Sequence, residues 1–226
     1  MITVIIPTLW KIDRLNLTLK ELELCDHVGE IILIDNTGIN KKIENRKLIY
    51  ILENENTYVN PSWNKGVKMS SNDKICILND DIWFNWDHFK LISPFISDKI
   101  GMIGMSSDNY NNPEKEIKIS KINPYWKSKK GFRPYGYGCC IFIHKNNWIE
   151  IPSEMKIWAG DDFIFYYNNN LENYIIEGME CKGYMSYTND IYQNEFDEIR
   201  KNDMSIIKNY IKKNLVDNYL KGTIWE

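Results

Sequence analysis

The sequence predicts an α/β protein, a single domain on a central, mostly parallel mixed sheet flanked by helices. Three observations carry this. Short runs of Ile, Val and Leu recur through the first half, segments with helical apolar spacing separate them, and two of the runs end abruptly in acids. Strands covered on both faces read as near-continuous apolar runs, and their alternation with helices is the pattern of βαβ units. With 226 residues, 43% of them hydrophobic, the chain can bury one enzyme-sized core.

Ile2 to Ile6, Glu30 to Ile34, Leu48 to Leu52 and Lys74 to Leu78 read as buried strands. Between the first two, Ile12, Leu15, Leu19 and Leu22 share one helical face behind Asp13, a candidate N-cap. Between the third and fourth, Asn60 and Pro61 read as the cap and first-turn residue of a helix that turns Trp63 and Val67 inward. Ile100 to Met105 and Tyr137 to Ile143 read as later strands. The polar stretch between them, about thirty residues rich in Asn, Lys and Pro, is long enough to be a functional loop. Ile207, Tyr210, Ile211 and Leu215 fall on one face of a C-terminal helix.

Composition narrows the function classes. Twenty-eight basic and 31 acidic residues leave a net charge of −3, with no overall attraction to nucleic acid or anionic membrane. The cysteines Cys25, Cys76, Cys139, Cys140 and Cys181 are odd in number, form no CxxC pair and sit mostly among apolar neighbours, which suits reduced core residues and a cytoplasmic setting. The opening MITVIIPTLW lacks the length and leading positive charge of a signal peptide, and no run reaches about 18 apolar residues, so a soluble protein without a transmembrane segment is expected.

The chemistry concentrates where strands end. Ile75-Cys76-Ile77-Leu78 runs into Asn79-Asp80-Asp81, and Ile31-Ile32-Leu33-Ile34 runs into Asp35-Asn36. Ligands of open α/β sheets gather beyond the carboxyl ends of strands, so both acids fall on the ligand edge. Hard oxygen ligands there suit Mg²⁺ or Mn²⁺ completed by diphosphate and water. The bland alternative is a capping turn, which favours Asn and Asp after any strand. A further pair, Asp161-Asp162, follows Trp158-Ala159-Gly160; adjacent carboxylates among Trp158, Phe163 and Phe165 suit a general base, or simply cap a helix beginning at Phe163.

Taken in order, Val4-Ile5-Ile6-Pro7-Thr8, Asp35, Asn64-Lys65-Gly66, Asn79-Asp80-Asp81 and Trp158-Ala159-Gly160-Asp161-Asp162 resemble the family 2 glycosyltransferases of the GT-A fold, over roughly residues 1 to 185. The resemblance implies a nucleotide-sugar donor, a divalent metal (Mn²⁺ or Mg²⁺) and an acceptor hydroxyl. It implies a nucleotide-sugar-binding half (1–106) and an acceptor-side half (107–190) of the single domain; the C-terminal helical segment (191–226), read from its apolar face, lies outside it. Asp35 is similar to the acid that hydrogen-bonds the base, Thr8 lies where the first loop passes the nucleotide, and Asn64 and Lys65 fall on the donor side. Asn79-Asp80-Asp81 resembles the DxD element with Asn in first place, which assigns Asp81 to the metal and Asp80 or Asn79 to the ribose. Asp162, with Asp161 as fallback, matches the base of inverting members. One departure stands out: none of His27, His88 and His144 follows the acidic pair to supply a late metal ligand. All three read as structural or solvated, His27 and His88 in surface stretches, which leaves that role to Asn189 or Asp190, or leaves the metal held only by Asp81, diphosphate and water.

Residues 123 to 138 interleave aromatics with four basic side chains, so Trp126, Arg133 and Tyr135, with Trp158, are candidate acceptor contacts. The acceptors this suits are a glycan, a sugar phosphate or, less well, a modified nucleic-acid base; the alternative is a solvated loop whose aromatics fold onto the core. A sugar nucleotidyltransferase is the rival enzyme, but Pro7 to Arg14 contains no glycine to cradle a triphosphate. A non-catalytic nucleotide- or carbohydrate-binding module of the same fold is the other alternative.

Overall fold

The structure, a computed structural model, describes residues 1–122, 137–167, 171–184 and 193–214. In chain order it contains β1 (Ile2–Thr8), α1 (Leu15–Leu24), β2 (Val28–Asp35), β3 (Leu48–Leu52), α2 (Val59–Met69), β4 (Lys74–Leu78), β5 (Ile82–Phe84) and the one-turn α3 (Phe89–Ile92). There follow β6 (Ile100–Met105), β7 (Lys118–Ile122), β8 (Cys140–His144), α4 (Gly160–Tyr167), β9 (Glu172–Glu177), β10 (Cys181–Gly183) and α5 (Gln193–Asn214). Eight strands form one sheet in the order β3-β2-β1-β4-β8-β6-β9-β7, and β10 pairs with β5 in a separate ribbon.

β1 lies between β2 and β4 and runs parallel to both, with Thr8 opposite Asp35 in register. β8 is antiparallel to β4 and β6, β9 is parallel to β6, and β7 closes the edge antiparallel to β9. The mixed, mostly parallel sheet expected from the sequence is therefore present. Successive side chains of a strand face opposite ways. Val4 and Ile6 of β1 accordingly join Leu15, Leu19 and Leu22 of α1, while Ile5 joins Trp63 and Val67 of α2 and Phe163 and Phe165 of α4. Each such fully buried aliphatic side chain contributes about 1.5–3 kcal/mol.

Local expectations that fail do so for physical reasons. Asp13 is not the N-cap of α1; the helix opens at Leu15 with Arg14 in the cap position, and Arg14 instead pairs with Glu21 at 2.7 Å. Asn60 is not a cap either. α2 begins two residues earlier, at Val59 after Tyr58 at a left-handed φ of 64°, and the buried Asn60 amide is spent on the carbonyl of Trp158. The polar stretch before Tyr137 contains β7, an edge strand with one neighbour and hence few apolar positions. The strand expected from Tyr137 begins at Cys140, because residues Tyr137–Cys139 form a 3₁₀ turn. His88 is buried, not on a surface stretch, with Nε2 2.8 Å from Glu114. None of the five cysteines is in a disulfide, and among the described residues no helix is long and apolar enough to cross a membrane.

Candidate active site

Placing β1 between β2 and β4 brings three strand ends together. The Thr8 hydroxyl donates to Asp80 at 2.6 Å and accepts the backbone N–H of Trp10 at 2.8 Å. Trp10 holds a left-handed φ of 54°, and its indole N–H donates to Asp35 Oδ2 at 2.5 Å. An unbroken chain of hydrogen bonds thus runs Asp35–Trp10–Thr8–Asp80. Asp35 is fully buried and also accepts from the Tyr50 hydroxyl (2.6 Å) and from the N–H and hydroxyl of Thr37 (2.8 and 2.6 Å). Four donors on one carboxylate satisfy it. A base could be read by Asp35 directly only if one of them, most simply the Trp10 indole, gave way.

Beside this chain lies a cleft of about 460 Å³, lined among others by Trp10, Lys11, Thr37, Lys41, Asn56 and Phe196. That is a volume typical of small-molecule sites. Lys41 sits over the Trp10 ring, 4.9 Å from its centroid, so the wall offers an aromatic face and a cation. Of these residues sequence reasoning named none. Trp10 carried one signal, a bulky aromatic in a first loop that has no glycine.

Asp80 and Asp81 stand side by side past Leu78. Each exposes some surface yet is densely surrounded by protein. Burial pushes Asp80 up to about 6, with relief from the Thr8 hydroxyl and the Leu9 N–H, and burial with the Asp80 charge pushes Asp81 up to about 7. Asp81 Oδ1 is buried and has no hydrogen-bond partner among the described residues. Two neighbouring carboxylates that resist ionising together, one with an unpartnered oxygen, fit a divalent cation. No group of three or more His, Cys, Asp or Glu side chains converges among the described residues, so diphosphate and water would supply the remaining ligands. Asn189 and Asp190 lie outside the described residues.

Asp161 and Asp162 occupy the first turn of α4, where free N–H groups favour negative charge, so the helix opens at Gly160 and not at Phe163. Both are almost fully buried. They are linked to the strand-end acids through the turn before β8: the Asn79 N–H donates to the Cys139 carbonyl at 3.0 Å, and a Cβ on the preceding Gly138 would collide with the Asp161 carboxylate. Trp158 is half-buried, with the Arg200 guanidinium 5.2 Å from its ring centroid. Asn64, expected on the donor side, stands on α2 against residues 148–151. Its amide donates to the Ile151 carbonyl and accepts from the Ile151 N–H and the Trp148 indole, which ties α2 to residues 148–151. Lys65 ion-pairs with Glu53 just past β3. Trp126, Arg133 and Tyr135 lie outside the described residues.

A sheet of this topology, with an acid ending β2, acids following β4 and a further acidic pair in the first turn of α4, is that of a GT-A glycosyltransferase fold. The sequence profile of glycosyl transferase family 2 matches residues 3–158, and the chain belongs to that family. No curated protein matches it. Among solved structures, S. aureus TarS 1-349 in complex with UDP superposes with a TM-score of 0.60 at 14% identity, over 96% of this chain and 68% of that one. The longer S. aureus TarS structure gives 0.60 at 15% identity, and there the chain spans 41% of its length. GalNAc-T7 with UDP, GalNAc and Mn²⁺ gives 0.55 at 11% identity, over 81% of this chain and 43% of that one.

Proposed function

We propose that the protein transfers a sugar from a nucleotide-sugar donor to an acceptor hydroxyl, with inversion at the anomeric carbon and with help from a divalent metal. The observation that carries this is the Asp35–Trp10–Thr8–Asp80 chain at one sheet edge with the unpartnered Asp81 oxygen after it, the Asp161–Asp162 pair being linked to these acids through Gly138 and Cys139. The cleft beside Trp10 takes the nucleotide base, its aromatic face stacking and Lys11 and Lys41 drawing phosphate. UDP is the first choice of nucleotide, since S. aureus TarS was solved in complex with UDP and UDP-GlcNAc. Asn79 and Asp80 hold the ribose side, and Asp81 holds the metal, Mn²⁺ or Mg²⁺, which when bound neutralises charge on the diphosphate.

Asp162 acts as general base, with Asp161 beside it. The acceptor oxygen attacks the anomeric carbon, its proton passes to the carboxylate, and the bond from that carbon to the diphosphate oxygen breaks, releasing the nucleoside diphosphate. A single displacement of this kind inverts the centre. The base stands almost fully buried in the first turn of α4. Trp158, with Trp126, Arg133 and Tyr135, forms the acceptor side, and the cytoplasm is the proposed compartment.

Thermal shift against UDP, GDP, CMP and TDP sugars, each with and without Mn²⁺, tests the reading, because a bound ligand stabilises the fold by mass action. Stabilisation by one nucleotide class that grows with Mn²⁺, with release of nucleoside diphosphate, is expected. No stabilisation by any of them would defeat it.

A further inference from the structure

The segment that leads into the acidic pair is held from outside the family profile, by the C-terminal helix. Asp203 of α5 is completely buried, and its carboxylate accepts three successive backbone N–H groups: Lys156 at 3.0 Å, Ile157 at 2.9 Å and Trp158 at 2.9 Å. A buried carboxylate is tolerable only when its oxygens are paired, and hydrogen bonds to a charged acceptor are the strong ones. The carbonyls of the same segment are tied on its other side by Asn60, whose N–H donates to the Lys156 oxygen at 2.9 Å and whose amide donates to the Trp158 oxygen at 3.4 Å. Residues 156–158 are thus gripped through donors and acceptors alike.

Only Ala159 and Gly160 separate this grip from Asp161. Ala159 sits at a left-handed φ of 58°, which an alanine does not adopt unless its surroundings impose it, and its carbonyl accepts the Phe163 N–H that starts α4. Gly160 presses on Asn60, so closely that a Cβ there would collide with the Asn60 amide. The start of α4, and with it both carboxylates, is therefore set by where the segment 156–158 is held. The C-terminal helix α5 also reaches the cleft. Two turns before Asp203, Phe196 and Glu195 line the cleft wall, and the Tyr58 hydroxyl donates to Glu195 at 3.1 Å.

We propose that Asp203 is a positioning residue for sugar transfer, fixing through residues 156–158 where the Asp161–Asp162 pair stands relative to the donor cleft. The proposal rests on the reading of that pair as the general base. Effective catalysis needs a near-attack geometry, and an error of about 1 Å can cost about a hundredfold in rate. Asn at position 203 would turn an N–H donor toward the backbone N–H groups, while Glu keeps the charge and carries it one methylene too far.

The test measures nucleoside diphosphate release, from whichever of UDP-N-acetylglucosamine, UDP-glucose and UDP-galactose the unmutated protein turns over fastest, in Asp203→Asn, Asp203→Glu, Asp161→Asn, Asp162→Asn and the Asp203→Asn/Asp162→Asn double variant. Melting temperatures are taken alongside. Asp203→Asn should lower kcat about 10- to 100-fold with the donor KM changed less than about threefold. Asp203→Glu should stay folded, with a lowered melting temperature, and lose rate. In the Asp162→Asn background, adding Asp203→Asn should cost less than about threefold more, because the group it positions is already disabled. A folded Asp203→Asn or Asp203→Glu variant with unmutated kcat overturns the proposal, as does a full Asp203→Asn effect persisting in the Asp162→Asn background. If Asp203→Asn does not fold, Asp203→Glu decides alone. Failure of the base reading shows separately, as wild-type rates in both Asp161→Asn and Asp162→Asn.

Discussion

Conversion of Asp81 to Asn should strengthen the metal-free fold while removing its response to metal. The carboxylate pKa stands at about 7 in the fold, against an ordinary 3.8. That is about a thousandfold suppression of ionisation, or about 4 kcal/mol at most. Because the site is partly open to water, about 1–2 kcal/mol of this is realised. The sign follows from the raised value. Below pH 4 or so Asp81 is protonated in folded and unfolded chains alike and nothing is lost; the penalty grows as pH rises and is complete above the folded pKa. At pH 8 without metal, Asp81→Asn should therefore melt about 2–8 °C above the unmutated protein, and the gap should narrow as pH falls toward 4. Mn²⁺ at pH 8 should raise the melting point of the unmutated protein and leave the variant unmoved. Differential scanning fluorimetry of chelator-treated protein, with and without Mn²⁺, reads both effects. A variant that melts no higher at pH 8, or that Mn²⁺ stabilises as well as it does the parent, would refute the assignment.

Asp162→Asn should lower kcat by about two to four orders of magnitude with donor binding intact, since Asn keeps the shape but not the proton acceptance; nucleotide affinity by calorimetry beside a rate assay checks it, and an unchanged rate counts against this residue. Asp35→Ala should raise the donor KM more than it lowers kcat, because it frees Trp10, Thr37 and Tyr50 together and unsettles the base wall; an unaltered KM would remove Asp35 from the donor site. Tyr137→Phe should cost about 1–2 kcal/mol, a fall of about 2–8 °C in melting temperature, since its buried hydroxyl lies 2.8 Å from the carbonyls of Met102 and Tyr174. Trp126→Ala with Tyr135→Ala should raise the acceptor KM and spare the donor KM, and loss of donor binding instead would move that segment to the nucleotide side.

What the sequence by itself determined was the part written in local, periodic signals. The runs ending at Asp35 and at Asn79-Asp80-Asp81 needed no tertiary information to be recognised as buried strands with acids at their ends, because a strand covered on both faces must be apolar throughout. The inward faces of α1 and α2 followed from helical spacing, and Trp63 and Val67 are indeed buried. Caps were less legible, since Asp13 and Asn60 have cap chemistry but the helices start where the turns before them permit.

The tertiary structure alone decided who touches whom. That Thr8 bridges Asp80 to Trp10, and Trp10 to Asp35, depends on β1 being the strand between β2 and β4, a matter of sheet order that no local pattern records. Asn64 shows the reverse case, a residue with donor-site chemistry that packing against residues 148–151 claims for itself. Asp203 left one faint mark: it shares a helical face with Phe196, Ile207 and Tyr210, an acid where periodicity asks for an apolar side chain. Why an acid belongs there is visible only once residues 156–158 turn three backbone N–H groups toward it, because a buried carboxylate is held by long-range partners and not by its neighbours in sequence.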